Sequence, residues 1–565
     1  MRTPRRKFLG QLPAALGTAL IAPGAVAVNA AARILQTPAA QAGAAGITAE
    51  TLAAAQQVAG VSLPAAEREA ARTLVARNLT NIEAVRAVTL TADVEPAFSY
   101  RPPRPKAVPA AKRASGRRAA PPKFAKIDDV AFEPVTQLAE RLRTRQITST
   151  ELTSMYVSRL KQHDPTLFCV VTLTEDLARE QAATADREIR AGRYRGPLHG
   201  IPYGIKDLFS AKGIPTTWGA KPYANQVFDY DSTAVTRLRE AGAVLLGKLA
   251  TGELAVGDLW FRGRTRNPWN PARGSSGSSA GPASASAAGL VGFAIGTETN
   301  GSIMSPASTC GVVGLRPTYG RVSRFGCMTL RWTLDKVGAI ARSVADVAIV
   351  LEAIHGPDGH DETVTDLPFA WNGNQEVVGL RIGYLEREFS GAGTGAGLAP
   401  ALEVFRRAGA TLVPITLPES PAAAIYALLN AEAGAMFDEL VRTGGINDLA
   451  DTTMNGRANQ LRAARFIPAV DYVRAQRART LLLQRMNQLF NTVDVFLASA
   501  SSEAVTICNL TGHPGITVPA GLVDGLPIGL MVTGPLFRED SVIQAAAAFE
   551  HATDWHTKHP ANFGT

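Results

Sequence analysis

Between Gly274 and Gly320 the chain reads GSSGSSAGPASASAAGLVGFAIGTETNGSIMSPASTCGVVGLRPTYG, and this stretch limits the possible folds more than any other. Almost every side chain in it is Gly, Ala, Ser or Thr, with an apolar run from Leu290 to Ile295 in the middle. One reading is a solvated Gly/Ser tether. The other is a buried site in which backbone amides and hydroxyls crowd around a reacting group. A tether has no use for LVGFAI, nor for Cys310, Val312, Val313 and Leu315 set among glycines, so the stretch is expected to pack inside a folded body.

The sequence around it predicts what that body is. Thr148-x-x-Glu151 has the form of a capping box and opens a helix whose face carries Leu152, Met155, Tyr156, Arg159 and Leu160. Phe168 to Leu173 reads as a strand, Thr174 to Arg190 as a helix, Ala234 to Gly242 as a helix and Val244 to Lys248 as a strand. The segment LHGIPYGIKDLF reads as a further strand, with Lys206 as its one basic residue. Later come a helix over Val344 to Ile354, strands over Leu380 to Tyr384 and Thr411 to Ile415, and a helix over Ala399 to Ala408 between them. A helical region then runs from about 420 to 490, followed by buried strands at Val493 to Leu497 and Ile516 to Pro519 and a closing helix over Asp540 to Trp555. Strands and helices alternating in this way define an α/β sheet protein.

The N-terminal quarter differs. Arg5-Arg6-Lys7-Phe8-Leu9, then an apolar stretch ending in small residues, has the three-part layout of an export signal, and the arginine pair resembles the twin-arginine motif. Residues 1–30 are therefore expected to be a signal peptide, and the mature protein to be periplasmic or secreted. Residues 31–100 read as a small helical extension, with two or three short helices between Ile47 and Val88 and a capping box at Thr80-x-x-Glu83. Residues 101–126 are rich in proline and basic residues and read as a linker. The main domain is expected over residues 130–562.

The net charge of +9 could signal nucleic acid. The excess, however, lies at Arg2, Arg5, Arg6 and Lys7 and in the stretch from Arg101 to Lys126, which contains no acidic residue, so no nucleic-acid partner is expected for the body. Cys169, Cys310, Cys327 and Cys508 form no C-x-x-C pair and have no histidine at ligand spacing, so no metal site is expected, and they read as core thiols. No apolar run in the body is long enough to span a bilayer, so no stable membrane insertion is expected once the signal is removed.

Two features carry chemistry. GTETNGS ends in Ser302 at a glycine-bearing turn, where successive backbone amides can converge on one point as an oxyanion hole. A serine hydroxyl needs a base before it is nucleophilic. The histidines are poor candidates: His199, His513, His551, His556 and His559 read as packing or surface residues. Lys206 in its apolar strand would lose hydration, lowering its pKa toward values at which the neutral amine acts as a base, although a snorkelling lysine at a strand end fits the residues equally well. Asp207, next along the strand, would face the opposite side.

GIPYGIKDLF, GSSAGPASASAAGL, GTETNGSI, CGVVGLRPTYGRVS, TLDKVGAIARSVAD and LTGHPGITVPAGLVDGLPIGLMVTG, in this order, resemble the amidase signature family of serine hydrolases over about Phe132 to Pro560. The resemblance implies a large mixed open β-sheet covered on both faces by helices, with the small helical extension added at the N-terminus. It also implies a relay in which Lys206 is the base, Ser302 the nucleophile and a serine after a cis peptide the bridge between them. Two Gly-Ser-Ser runs could supply that bridge. Alignment back from Gly289 and Gly296 selects Ser278, with Ser275 as the alternative. The backbone amides of Thr299, Asn300, Gly301 and Ser302 would form the oxyanion hole. The implied activity is hydrolysis of a small-molecule carboxylic amide through an acyl-enzyme, without metal or organic cofactor, and with a homodimer as a possible assembly. Trp260, Trp332 and His513 are candidate substrate-binding residues. Asn300, Met304 and His513-Pro514 depart from the family pattern, which puts any transfer of substrate specificity in doubt.

Three rival readings stand beside this one. Gly277 to Gly281 also satisfies G-x-S-x-G, with Ser279 as the nucleophile of an esterase, but a loop rather than a strand precedes it. A glutaminase-type component of a tRNA-dependent amidotransferase keeps the fold and requires partner subunits. A non-catalytic binding protein on the same fold predicts loss of a relay residue, and all three are present.

Overall fold

The computed structural model describes residues 46–100, 102 and 121–564. The expected signal peptide and most of the expected linker lie outside these residues. The body is built on one eleven-stranded sheet. In chain order its strands are β1 (Val170–Leu173), β2 (Pro202–Lys206), β3 (Val244–Leu249), β4 (Phe293–Glu298), β5 (Val313–Arg316), β6 (Lys336–Ala341), β7 (Arg381–Tyr384), β8 (Thr411–Pro414), β9 (Val495–Ser499), β10 (Gly515–Val523) and β11 (Leu526–Thr533). Across the sheet they run β1-β3-β2-β4-β6-β5-β10-β11-β9-β7-β8. The sheet is mixed: β2 is parallel to both β3 and β4, β7 is parallel to both β8 and β9, and the other pairs are antiparallel.

Helices cover both faces of the central strands, so that even their charged residues, Lys206, Lys248, Glu298 and Lys336, are buried. β2, β3, β4 and β6 are buried at every residue. The capping box at Thr148 is present: its hydroxyl accepts from Glu151 N, and Thr148 N donates to the Glu151 carboxylate. The helix Val344–Ile354 has the expected bounds, and the helices near 400 and 540 begin within about five residues of theirs. Strands β6 and β11 have no counterpart in the sequence pattern. Both are short apolar segments broken by glycine or proline, Gly338 in one and Pro527 and Gly529 in the other, which a periodicity argument passes over.

The small-residue stretch is packed, not solvated. Every residue of the helix Ala280–Ala287 is buried. A Cβ at Gly281 would come within 2.4 Å of Ala250 N, so only glycine lets this helix lie so close to the end of β3.

Among the described residues the N-terminal extension forms two α-helices, Ala49–Val58 and Ala65–Arg86. The capping box expected at Thr80 and Glu83 is not one. Both residues lie inside the longer helix, which begins after Pro64, because the pattern from Ala65 onward already continues through Leu74 and Ile82. Nor is the extension a separate body. Ile82 and Val85 join one buried cluster with Ile303, Met304 and Leu428, and Leu63 joins another with Leu208, Met328 and Phe437. From Arg86 onward the extension is held through its carbonyls: Arg474 donates to the carbonyl oxygens of Arg86 and Val88, Arg477 to those of Thr91 and Val94, and Thr480 to that of Glu95. The end of the expected linker is also anchored, with Pro122 O accepting from Arg141 at 2.8 Å and the Arg141 guanidinium over the Phe124 ring.

Candidate active site

Lys206 is the last residue of β2, and β4, its parallel neighbour, leads directly into the turn that carries Ser302. The lysine side chain is fully buried, 0 % exposed. Its Nζ lies 2.8 Å from Ser278 Oγ and donates to Thr297 Oγ1 at 2.8 Å. Burial pushes the amine down from 10.5 to about 7, and the pull of Cys327, Asp335 and Glu298 in the other direction does not cancel it. Asp207 does not hold Lys206 charged. It turns to Lys248, 2.8 Å away, and accepts from Thr217 N at 2.9 Å.

Of the two Gly-Ser-Ser runs, the second carries the cis peptide, at Gly277–Ser278, whereas Ser275 turns its hydroxyl to the carbonyl oxygen of Ser276 at 3.0 Å. Ser278 is 1 % exposed and Ser302 is 9 % exposed. The two loops are joined by Ser279 N, which donates to Ser302 O at 3.1 Å. Ser279 itself is engaged with β4: its hydroxyl donates to Thr297 O at 3.1 Å and accepts from Thr297 N at 3.3 Å. That leaves Ser279 unsuited to the nucleophile role of the esterase reading. Gly301 has φ +84°, which turns the chain sharply before Ser302. Among the described residues, the backbone N–H groups of Asn300, Gly301 and Ser302 donate to no other protein atom.

A buried network fixes this turn, and no local sequence pattern announces it. Glu298, at the end of β4, accepts from Ile303 N at 2.7 Å and Met304 N at 2.9 Å, just beyond Ser302. Its other oxygen accepts from Arg316 at 2.8 Å and Asn509 Nδ2 at 2.7 Å. Despite the desolvation that opposes ionisation, Arg316 and these donors hold the Glu298 carboxyl below its ordinary value. Asp335 ties the turn to the neighbouring loop by accepting from Thr299 Oγ1 at 2.6 Å and from Leu330 N and Arg331 N. The signal is present in GTETNGS, LRPTYG and TLDKVG, but nothing within those segments says that their charged residues meet.

The three candidate substrate-binding side chains are placed differently from one another. Trp260 is buried, its indole N–H without an acceptor among the described residues, with the Arg262 guanidinium over its ring. Trp332 is 45 % exposed, and its carbonyl accepts from Tyr319 Oη. His513 is enclosed, stacked on Phe490 with Nδ1 2.8 Å from Thr511 Oγ1, and burial pushes it down to about 3, so it is neutral at physiological pH. Among the described residues no group of histidine, cysteine and carboxylate side chains is arranged to hold a metal ion. All four cysteines are free thiols.

A mixed sheet that presents a buried lysine, a serine after a cis peptide and a second serine at a glycine turn defines the class of amidase signature enzymes, which act on carbon–nitrogen bonds. The chain belongs to the amidase family: the family model described as Amidase matches residues 151–507. It is 39 % identical to a glutamyl-tRNA(Gln) amidotransferase subunit from Roseiflexus castenholzii, over 75 % of this chain and 97 % of that protein. It is 36 % identical to the protein of the same name from Methylococcus capsulatus, over 76 % and 98 %. Among solved structures it resembles the native peptide amidase of Stenotrophomonas maltophilia, with a TM-score of 0.70, 32 % identity and coverage of 77 % and 99 %. A bacterial aryl acylamidase of the amidase signature family aligns with a TM-score of 0.66, 26 % identity and coverage of 75 % and 98 %.

Proposed function

We propose that the chain hydrolyses a carboxylic amide to a carboxylate and ammonia or an amine, through an acyl-enzyme on Ser302. The observation that carries this is the 2.8 Å contact between Lys206 Nζ and Ser278 Oγ, in a site where burial lowers the amine to about 7, so that a substantial fraction of it is neutral near pH 7. Neutral Lys206 takes the proton of Ser278, Ser278 takes that of Ser302, and Ser302 Oγ attacks the amide carbon. The backbone N–H groups of Thr299, Asn300, Gly301 and Ser302 hold the oxyanion, each worth roughly 3 to 4 kcal/mol by analogy with other hydrolases. The relay then returns a proton to the leaving nitrogen, and water repeats the sequence on the acyl-enzyme. Labelling with a serine-directed fluorophosphonate, with and without Ser302→Ala, tests the nucleophile. A panel of aliphatic, aromatic and peptide amides, assayed for released ammonia or amine, tests the reaction. No Ser302-dependent adduct on folded protein would refute the reading.

The names of the relatives favour a second reading, in which the amide is that of glutamine and the ammonia passes to a partner protein that acts on charged tRNA. Glutamine hydrolysis that depends on a co-purifying tRNA-binding partner would establish it, and turnover of simple amides by the isolated chain would remove the need for it. Export by the twin-arginine route, proposed from Arg5-Arg6, fits the isolated hydrolase and not the tRNA-dependent assembly. Retention of an Arg5→Lys, Arg6→Lys double variant inside cells that export the parent chain would support that route.

A further inference from the structure

A cavity of about 360 Å³ opens on the face of the sheet away from Ser302. Strand β6 shows the separation. Ile340 joins the buried cluster that holds Ile303 and Met304, whereas Ala339 and Ala341 on either side of it join the cluster that holds Val347 and Ala546. The helices Val344–Ile354 and Glu539–Ala552 therefore cover the face opposite the serine turn. The cavity lies between the start of the first, at Ala345, the end of the second, at Ala547, Glu550 and His551, and the residues around Trp371 and His556. Gln375 and His551, both exposed, stand at its mouth.

Its walls offer two things to a ligand. Trp371 commits its indole N–H to Asn374 O at 3.3 Å, so what it lends the cavity, beside Ala345 and Ala547, is the ring. Glu550 brings a carboxyl. It accepts from Val344 N at 2.8 Å but forms no ion pair among the described residues. The titratable groups about it are Asp346 on the first helix, His551 on its own helix and His556 in the turn that follows, and residues 371–375 add no charge. Burial pushes Glu550 up to about 8 against the pull of the Val344 N–H, and Asp346 adds to the rise. Burial also holds His556 below its ordinary value, so the imidazole is neutral and supplies no counter-charge. An aromatic face beside a carboxyl without a cation recognises an organic cation. An anion would meet Glu550 and Asp346, and no group of histidine, cysteine and carboxylate side chains among the described residues is arranged to hold a metal ion. We propose that this cavity binds a small organic cation of the ammonium class, seated between the Trp371 ring and the Glu550 carboxylate. As the cation enters, the Glu550 carboxyl gives its proton to the solvent, so one positive charge replaces another. The proposal does not depend on the chemistry at Ser302.

The probes are choline and its uncharged isostere 3,3-dimethylbutan-1-ol, titrated calorimetrically into the full chain at pH 7 in two buffers of different ionisation enthalpy. Choline has no proton to lose near pH 7, so any proton released comes from the protein. Choline is expected to bind at least about tenfold more tightly than the isostere. It should release more than half a proton per cation, as a carboxyl titrating at about 8 requires. Glu550→Gln, whose amide oxygen can still accept from Val344 N, should abolish the proton release and weaken choline binding about tenfold. Trp371→Leu should weaken it about threefold and leave the proton release intact. Where Glu550→Gln melts below the assay temperature, Trp371→Leu and the isostere decide. Equal affinity for the two probes, no choline binding up to about 10 mM, or a proton count unchanged by Glu550→Gln overturns the proposal. So does loss of choline binding once Ser302 carries a fluorophosphonate, which would put the cation at the serine. Failure of the parent chain to label at Ser302 refutes the hydrolase reading and leaves this one standing.

Discussion

Replacing Lys206 by methionine removes the amine and leaves a side chain of similar length in a slot that water does not reach. Its ordinary pKa of 10.5 falls to about 7 on burial, and at about 1.4 kcal/mol per pKa unit the difference amounts to about 5 kcal/mol. The unfolded chain protonates this lysine below about 10.5 and the folded protein only below about 7. Between those values the unfolded state holds the extra proton, so rising pH favours the folded state and falling pH withdraws that stability until it is gone below about 7. The variant carries no such dependence. The stability of Lys206→Met relative to the parent is therefore greatest near pH 7 and declines by about 1.4 kcal/mol per pH unit through pH 8 to 10. A chain with about 500 ordered residues shifts its melting temperature by on the order of 1 °C per kcal/mol, which puts the full excursion near 5 °C. Paired calorimetric scans at intervals from pH 6.5 to 10 read the difference, in which the other titrating groups and the lost contacts to Ser278 and Thr297 contribute only a constant. In kinetics, the parent's rate of fluorophosphonate labelling should rise with pH and level off above about 7, and the variant should lose roughly a thousandfold. A melting difference that does not change with pH would refute the neutral lysine, and with it the relay.

Two further outcomes follow from the packing. Glu298→Gln leaves the buried Arg316 without its carboxylate and is expected to destabilise by about 3 to 5 kcal/mol, with a fall in kcat because Ile303 N and Met304 N lose a charged acceptor; an unchanged melting temperature would count against the network. Ile82→Asp buries a charge where the extension meets the helix after Ser302 and is expected to cost about 3 kcal/mol or more. Hydrogen exchange should then rise together over residues 65–86 and 303–310, whereas a rise confined to the extension would show that the two segments are energetically separate.

How much of this is legible in the sequence depends on the range of the interaction. The helix opened by Thr148 and the strands beside it follow from local patterns that burial then reinforces. Thr80-x-x-Glu83 shows the limit of such patterns: four residues match a cap while the twenty-two-residue helix around them does not end there. The residue types of the site are visible, since a lone lysine among Ile205, Tyr203 and Leu208 and a serine after Asn300-Gly301 stand out. That Lys206 meets Ser278, 72 positions away, comes from family resemblance and not from spacing. Glu298, Arg316, Asn509 and Asp335 stay unread because each is an ordinary charged or polar residue in its own segment, and only the crossing of β4, β5 and the helix Glu503–Thr511 brings the first three together.

The carbonyl oxygens that anchor the end of the extension carry a consequence for how such chains diverge. Arg474, Arg477 and Thr480 grip the peptide groups of Arg86, Val88, Thr91, Val94 and Glu95, a set of acceptors that every amino acid supplies. Selection therefore acts on the gripping residues of the body, while most side chains between Ala87 and Glu95 are free to drift. A chain elsewhere in the family could keep the same docked segment with no recognisable similarity along it, and the attachment would be traced through the paired arginines on the helix Ala469–Leu489.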